Sequence, residues 1–113
     1  MGMTGSGDDS ELRLEVQELT ELLREDSDFR NLRVLLAAHG LRASEVLLAG
    51  LIGSEDNSEY GVFITKDLRC FCFELGPSNQ LIRWEQVANV GPLLDDFSAL
   101  TVGIAMMRAG GSA

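Results

Sequence analysis

The sequence predicts an α+β fold in which two N-terminal helices precede a curved antiparallel sheet of four to five strands. Two observations support this prediction. Between about residues 9 and 38, apolar residues recur every three or four positions, which is the spacing of a helix that packs on one side. From residue 60 onwards, short runs alternate residue by residue between turn-forming segments, which is typical of strands. Because the helices come first and the strands follow, we expect the helices to lie on one face of the sheet.

Length and composition favour one domain with a core of its own. The chain has 113 residues, of which 45% are hydrophobic and 24% charged, values near those of an average globular protein. Residues 8–108 are predicted to form this single α+β domain. Small and polar residues dominate segments 1–7 and 109–113, which we expect to be disordered tails.

The first helix is predicted from about residue 9 to residue 25. Asp8 and Glu11 have the spacing of a capping box at its start. One side of the helix is rich in glutamate, and the other carries an apolar stripe. The stripe consists of Leu12, Val16, Leu19 and Leu23. An isolated helix of this length is marginal in water, so the stripe must be buried. It packs either on its own sheet, the alternative that we slightly favour, or against a second copy in a homodimer.

A second, short helix is predicted after a break at residues 26–28. Asp26 and Asp28 offer an N-cap, and the apolar segment from Phe29 to Ala38 follows. Gly40 is well placed to end the helix just after His39. The next segment, from Glu45 to Ile52, is an apolar run that fits either a strand or a helix, and the sequence leaves this choice open.

The strands are clearest between residues 60 and 84. Two alternating runs at 60–65 and 70–75, joined by a short polar connection, predict an antiparallel hairpin. In the second run, Phe71, Phe73 and Leu75 are predicted to face the core. A turn at 76–79 leads to another strand over 80–84, and 85–90 either continues it or forms a helical turn. The apolar run from Ala99 to Met107 is predicted to be the last strand.

The net charge of −9 narrows the classes of partner. Half of the 18 acidic residues, but only two of the nine Lys and Arg residues, lie within residues 1–28. Such a surface repels nucleic-acid phosphates and anionic lipids, and it suits a basic protein partner. A role in solubility alone is the interpretation that we favour for this segment. With no long apolar run and no secretory leader pattern, we expect a cytoplasmic protein that does not bind membranes.

The sequence offers no constellation that predicts catalysis or a bound cofactor. Cys70 and Cys72 share one strand face but lack further metal ligands, so we interpret them as small buried apolar residues. His39 has no neighbouring nucleophile or orienting acid in any recognisable motif, and its position fits the end of the second helix. The acidic pairs 55–56 and 95–96 are expected to be solvated loop residues. We therefore predict a protein that is not an enzyme and that needs no cofactor.

Trp84 is the one tryptophan of the chain. A single tryptophan is more often part of a core than exposed. If it is exposed, it is a candidate anchor for a protein partner. Together with the apolar stripe of the first helix, it completes the candidate partner-binding residues.

Residues 45–107 resemble a bacterial pleckstrin-homology-like (PH-like) domain. The likeness rests on the strings EVLLAGLIG, EYGVFITKDLRCFCFEL, LIRWEQVANV and ALTVGIAMM. Within them, Gly61 leads a strand, residues 65–69 form a Thr-Asp-Arg-like turn, and 84–87 form a Trp-Glu-x-Val step. The resemblance implies a PH-like sheet or partial barrel and a binding or scaffold module without catalytic residues. It does not imply phosphoinositide binding, because the necessary basic cluster is absent.

Three functions remain as hypotheses. The first is a small interaction or scaffold module, PH-like in shape, that acts through protein contacts. The second is an acidic inhibitor or immunity-type protein that neutralises a basic partner. The third, which we favour least, is a small enzyme with Cys70 or Cys72 as its nucleophile, which requires a thiol of lowered pKa.

Overall fold

The computed structural model describes residues 3–110, with side chains from residue 10 onwards. It is an α+β fold of three helices and one antiparallel sheet of four strands, paired in chain order, that does not close into a barrel. No described helix is both long and apolar enough to cross a membrane. The helices are α1 (Met3–Glu25), α2 (Arg30–Ala38) and α3 (Leu100–Arg108), and the strands are β1 (Val46–Gly53), β2 (Glu59–Thr65), β3 (Cys70–Leu75) and β4 (Leu81–Val87).

The helix α1 begins at Met3, well before the start that the capping-box spacing predicted, and ends at the predicted Glu25. Residues 1–2 and 111–113 of the predicted tails lie outside the described residues. After α1, the Asp26 carboxylate accepts a hydrogen bond from the Asp28 N–H (2.7 Å) and caps a 3₁₀ turn that leads into α2, as its sequence indicated. Gly40, with φ +76°, lets the chain leave α2.

The segment from Glu45 to Ile52, for which the sequence left strand or helix undecided, forms most of strand β1. β1 runs antiparallel to β2, with a bulge between Leu48 and Gly50. The predicted hairpin is β2 and β3. The strand predicted over 80–84 continues as β4 to Val87, which is the first of the two alternatives left open for residues 85–90. A further irregularity lies in β4, where the pairing skips Ile82.

The predicted last strand, Ala99–Met107, is wrong: this segment forms α3. Its buried residues are Leu100, Gly103, Met106 and Met107. Except for the adjacent final pair, they are spaced three or four positions apart, which is a helical period. Gly103 lets the helix approach the sheet, because a Cβ there would lie 2.8 Å from the Ile64 Cδ1 atom. A short apolar run does not distinguish a strand from a buried helix, which explains the error.

The helices do not share one face of the sheet, contrary to expectation. Two hydrophobic clusters lie on its opposite faces. The α3-side core contains Val16, Leu47, Ala49, Val62, Ile64, Cys70, Leu93, Phe97, Ala99, Leu100, Met106 and Met107. The α2-side core contains Leu23, Leu32, Leu35, Leu36, Val46, Leu48, Phe63, Phe73 and Leu75. The helix α1 contributes to both because it runs along β1 at the border between them.

Candidate interaction surface

The apolar stripe of α1 is placed against its own chain. Val16 and Leu23 are fully buried, one in each core. Leu12 and Leu19 are partly buried and pack against the same two clusters. The structure thus has the arrangement that the sequence slightly favoured, and these four residues are not gathered on a free surface.

Arginine side chains hold the C-terminal end of α1 against its own chain. The Arg33 Nη1 atom donates to the carbonyl oxygens of Leu23 and Asp26 (2.8 Å each) at the end of α1. The Arg24 Nε atom donates to the Ala43 carbonyl (3.0 Å) just before β1. These contacts across the break at residues 26–28 tie α1 to the body of the domain.

The outer edge of β1 is covered by α1. The Thr20 hydroxyl oxygen, which is buried, accepts a hydrogen bond from the Leu48 N–H (3.0 Å). The Arg24 Nη2 atom donates to the Val46 carbonyl (3.2 Å). Main-chain groups of an uncovered edge strand are a template for pairing with another chain. Here the side chains of α1 occupy two of them, so β1 is closed to an added strand.

The strand β4 is the other edge of the sheet. Within residues 3–110, no further strand pairs with its outer side. Most of its side chains are exposed, including Leu81 (45%) and Ile82 (56%). Exposed apolar side chains next to unpaired main-chain groups are features of a surface that receives a partner strand.

The strand register identifies which main-chain groups of β4 point outward. Successive residues of a strand direct their N–H and C=O groups to opposite sides. Since Leu48 points away from β2, its partner Phe63 points towards β3. The same alternation, carried through the pairs Val62 with Cys72 and Cys72 with Glu85, directs Glu85 towards β3. The neighbouring residues 84 and 86 therefore direct their N–H and C=O groups to the open edge.

Trp84 is half-buried, so it is neither a fully buried core residue nor a fully exposed anchor, the two alternatives that the sequence left open. Its ring stacks on the Phe71 ring (centroids 5.1 Å apart, 21° between planes) and on the exposed His39 ring (4.0 Å, 14°). The His39 Nδ1 atom lies 3.0 Å from the Leu35 carbonyl oxygen, which fixes the imidazole at the end of α2. These ring contacts fix the Trp84 side chain in place, while the N–H and C=O groups of residue 84 face the open edge.

On the opposite face of β4, Arg83 and Glu85 are both exposed. The Arg83 Nη1 and Glu85 Oε1 atoms lie 3.8 Å apart, and the Arg83 guanidinium lies 5.6 Å from the centre of the Tyr60 ring. Burial raises the pKa of Tyr60. The open edge thus carries one charge of each sign on one face and an aromatic residue on the other.

The two cysteines are buried, as predicted, and are not bonded to each other. Burial raises the pKa of both thiols. A nucleophilic cysteine needs the opposite shift, because the thiolate is the reactive form. Among the described side chains, no group of three or more His, Cys, Asp or Glu residues is arranged to hold a metal ion.

The acidic residues of α1 form an exposed surface on the side away from the sheet. It consists of Glu11, Glu15, Glu18, Glu21 and Glu25. Leu14 (52% exposed) and Leu22 (40%) lie among them. We call this the acidic face of α1.

Sequence reasoning named Trp84 but missed the edge on which it lies. The outward main-chain groups leave no trace in the sequence, because they depend on which strand ends the sheet. Comparisons with known proteins found no family model, no curated protein and no solved structure that matches this chain.

Proposed function

We propose that this protein is a small non-catalytic interaction or scaffold module that binds a protein partner along the open edge of β4. The observation that carries the proposal is the contrast between the two edges of one sheet. Thr20 and Arg24 of α1 occupy main-chain groups of β1, whereas β4 leaves those of residues 84 and 86 free to pair. Natural proteins usually cover or blunt such edges, so an edge left open beside exposed apolar side chains is suited to binding.

The charge and the PH-like likeness are consistent with this proposal. A net charge of −9 disfavours nucleic acid and anionic lipid as partners, which leaves a protein. The Trp-Glu-x-Val step that carries part of the PH-like resemblance is residues 84–87 of the open strand. A PH-like scaffold in the cytoplasm is the setting that we propose for this module.

A proline at position 86 tests the proposal. Gln86→Pro removes the outward N–H of an exposed residue, and an edge strand tolerates proline when that N–H faces solvent. Gln86→Ala is the matched control because it shortens the side chain and keeps the N–H. Both variants and the unchanged chain serve as bait for capture from the native host, read by mass spectrometry. We expect a protein that is retained by the unchanged and alanine baits and lost from the proline bait.

The acidic face of α1 supports a second candidate function, an inhibitor or immunity-type protein that captures a basic partner. Electrostatic capture weakens as ionic strength rises, whereas main-chain pairing responds much less to salt. Baits with Glu18→Lys and Glu21→Lys separate the two functions. A partner that is lost from these baits and in high salt, but retained by the proline bait, contradicts binding at β4 and supports the inhibitor.

A further inference from the structure

We infer that the partner of β4 is the β4 strand of a second copy of this chain, joined in an antiparallel, two-fold symmetric pair centred on Trp84. The inference deepens the proposed function and rests on its use of the β4 edge. The outward groups of β4 limit the possible registers, and each register places different charges opposite one another.

Only some registers satisfy the main chain. Residues 84 and 86 point outward, so a second copy must place outward residues opposite outward residues to form hydrogen-bonded pairs. Three symmetric registers do this over the charged part of the strand, with their two-fold axis at residue 83, 84 or 85. With the axis at residue 84, the bulged Ile82 of each copy falls opposite Gln86 of the other, so the regular part of the pairing is centred on residues 83–85.

The charges select among these three registers. With the axis at residue 83, Arg83 lies opposite Arg83 of the second copy. With the axis at residue 85, Glu85 lies opposite Glu85 of the second copy. Like charges directly opposite are destabilising in a sheet. With the axis at residue 84, Arg83 lies opposite Glu85 of the second copy, and the reciprocal pair forms by symmetry.

The preferred register also suits the remaining side chains. The Arg83 and Glu85 pairs occupy positions without main-chain hydrogen bonds, where side chains of opposed strands approach most closely. On the other face, each Trp84 lies beside Trp84 of the second copy. Within its own chain, each Trp84 ring stacks on His39 and Phe71. The exposed Leu81 pairs with Leu75, so beyond the skipped Ile82 it lies on the same face as Trp84 and adds apolar surface there. An eight-stranded sheet across the two-fold axis results.

Charge reversal gives a test that contains its own control. Arg83→Glu leaves only carboxylates at positions 83 and 85, and Glu85→Arg leaves only guanidinium groups there. Either variant alone places like charges opposite in the preferred register. An equal mixture of the two variants restores two opposite-charge pairs between unlike chains. Both residues are exposed, and circular dichroism checks that each variant remains folded.

Sedimentation velocity from about 10 μM to about 1 mM covers the affinities expected of a small interface. We expect the unchanged chain to dimerise in this range and each variant alone to associate about tenfold more weakly. The mixture regains association, and Glu55→Lys, a reversal in the exposed β1–β2 turn, does not reduce it. Dimerisation of the unchanged chain, weaker association of each variant alone and recovery in the mixture are together the result specific to this register.

Three outcomes overturn the inference. They are a chain that stays monomeric throughout the range, variants that dimerise as well as the unchanged chain, and a mixture that stays monomeric. The proposed function fails separately. A monomeric chain that still captures a foreign protein in a manner sensitive to Gln86→Pro overturns self-pairing and leaves the interaction module standing.

Discussion

Phe73 lies at the centre of the sheet and is fully buried in the α2-side core. Its ring stacks on Phe63 (centroids 4.8 Å apart, 21° between planes). Its neighbour on β2 is Gly61, where a Cβ would lie 2.7 Å from the Phe73 Cζ atom. A glycine at this position therefore makes room for the ring. The packing of Phe73 therefore depends on the absence of a side chain at the neighbouring position of β2.

Phe73→Ala is expected to lower the free energy of unfolding by about 3–5 kcal/mol, because it removes a large buried ring and leaves a cavity. Urea denaturation followed by circular dichroism measures the change. Val34→Ala on α2, where the side chain is 61% exposed, is the control and should cost no more than about 0.5 kcal/mol. A loss below about 1 kcal/mol for Phe73→Ala would show that the ring does not support the core.

Asp56 lies in the turn between β1 and β2, where its carboxylate accepts hydrogen bonds from the Ser54 and Ser58 side chains and from the Ser58 N–H (3.1 Å). These bonds favour the charged form and lower the pKa of Asp56 to about 2, from an ordinary value of 3.8. The interaction is therefore complete above the ordinary value and is lost as the pH falls through about 2.

Ser54→Ala removes the largest of these contributions, so the pKa of Asp56 is expected to rise towards its ordinary value. Carboxyl chemical shifts followed by NMR between about pH 1.5 and pH 6 measure it directly. Asp67 is an internal control, because its own lowered pKa depends on Thr65 and Arg69 in a different turn. An Asp56 pKa that does not change in the variant would contradict the assigned cause.

The element that most determines the surface is α1. It borders both cores, and its side chains occupy main-chain groups on the outer edge of β1. A helix with one apolar stripe usually packs on a sheet face, but here α1 lies along an edge, so residues next to the stripe become buried as well. Thr20 is one of them, and its hydroxyl oxygen accepts the hydrogen bond of the Leu48 N–H, which would otherwise be buried without a partner.

Thr20→Val preserves the shape of the side chain but leaves the buried Leu48 N–H without a partner. The expected cost is about 1–3 kcal/mol, measured by urea denaturation. Thr101→Val on α3 is the matched control because Thr101 is exposed, and its cost should stay within about 0.5 kcal/mol. Equal costs for the two variants would mean that the Thr20 hydroxyl is not needed at this edge.

A chain that starts at Asp26 tests α1 as a whole. The deletion removes Val16 and Leu23 from the two cores and exposes the edge of β1, so we expect loss of the cooperative thermal transition. Circular dichroism and light scattering on the full and shortened chains measure folding and association. A shortened chain that folds as a stable monomer would place α1 outside the cooperative unit.

At the scale of the whole molecule, the sheet is buried on both faces near β1 and β2 and becomes exposed at β4. The helix α2 covers one face and α3 the other, with α1 at the first edge. No described helix reaches the outer side of β4 in the same way. The molecule therefore has one closed edge and one open edge, and this asymmetry is the basis of the proposed function.

The buried thiols of Cys70 and Cys72 report on the whole fold. Their raised pKa keeps them protonated at neutral pH, so we expect a thiol-reactive aromatic disulfide to label them only when the chain unfolds. The labelling rate should rise with urea along the same transition as circular dichroism. The chain fully unfolded in urea is the control, in which both thiols react. Rapid labelling of the folded chain would instead support the hypothesis of a reactive cysteine.

The sequence by itself determined the elements whose spacing is unambiguous. The stripe of α1, the N-cap at Asp26 and the alternation in β2 and β3 each follow from local backbone geometry, so they could be predicted without knowledge of distant contacts. The segment at residues 99–107 could not, because an apolar run of that length is compatible with both a strand and a buried helix.

Only the tertiary structure decided how these elements are placed. The positions of α2 and α3 on opposite faces, and of α1 along β1, depend on which surfaces remain uncovered once the sheet has formed. The candidate site has the same origin. Trp84 was recognisable as a candidate anchor, but the exposure of its main chain follows from β4 being the last strand of the sheet. Strand order is a property of long-range pairing, and residue spacing along the chain does not encode it locally.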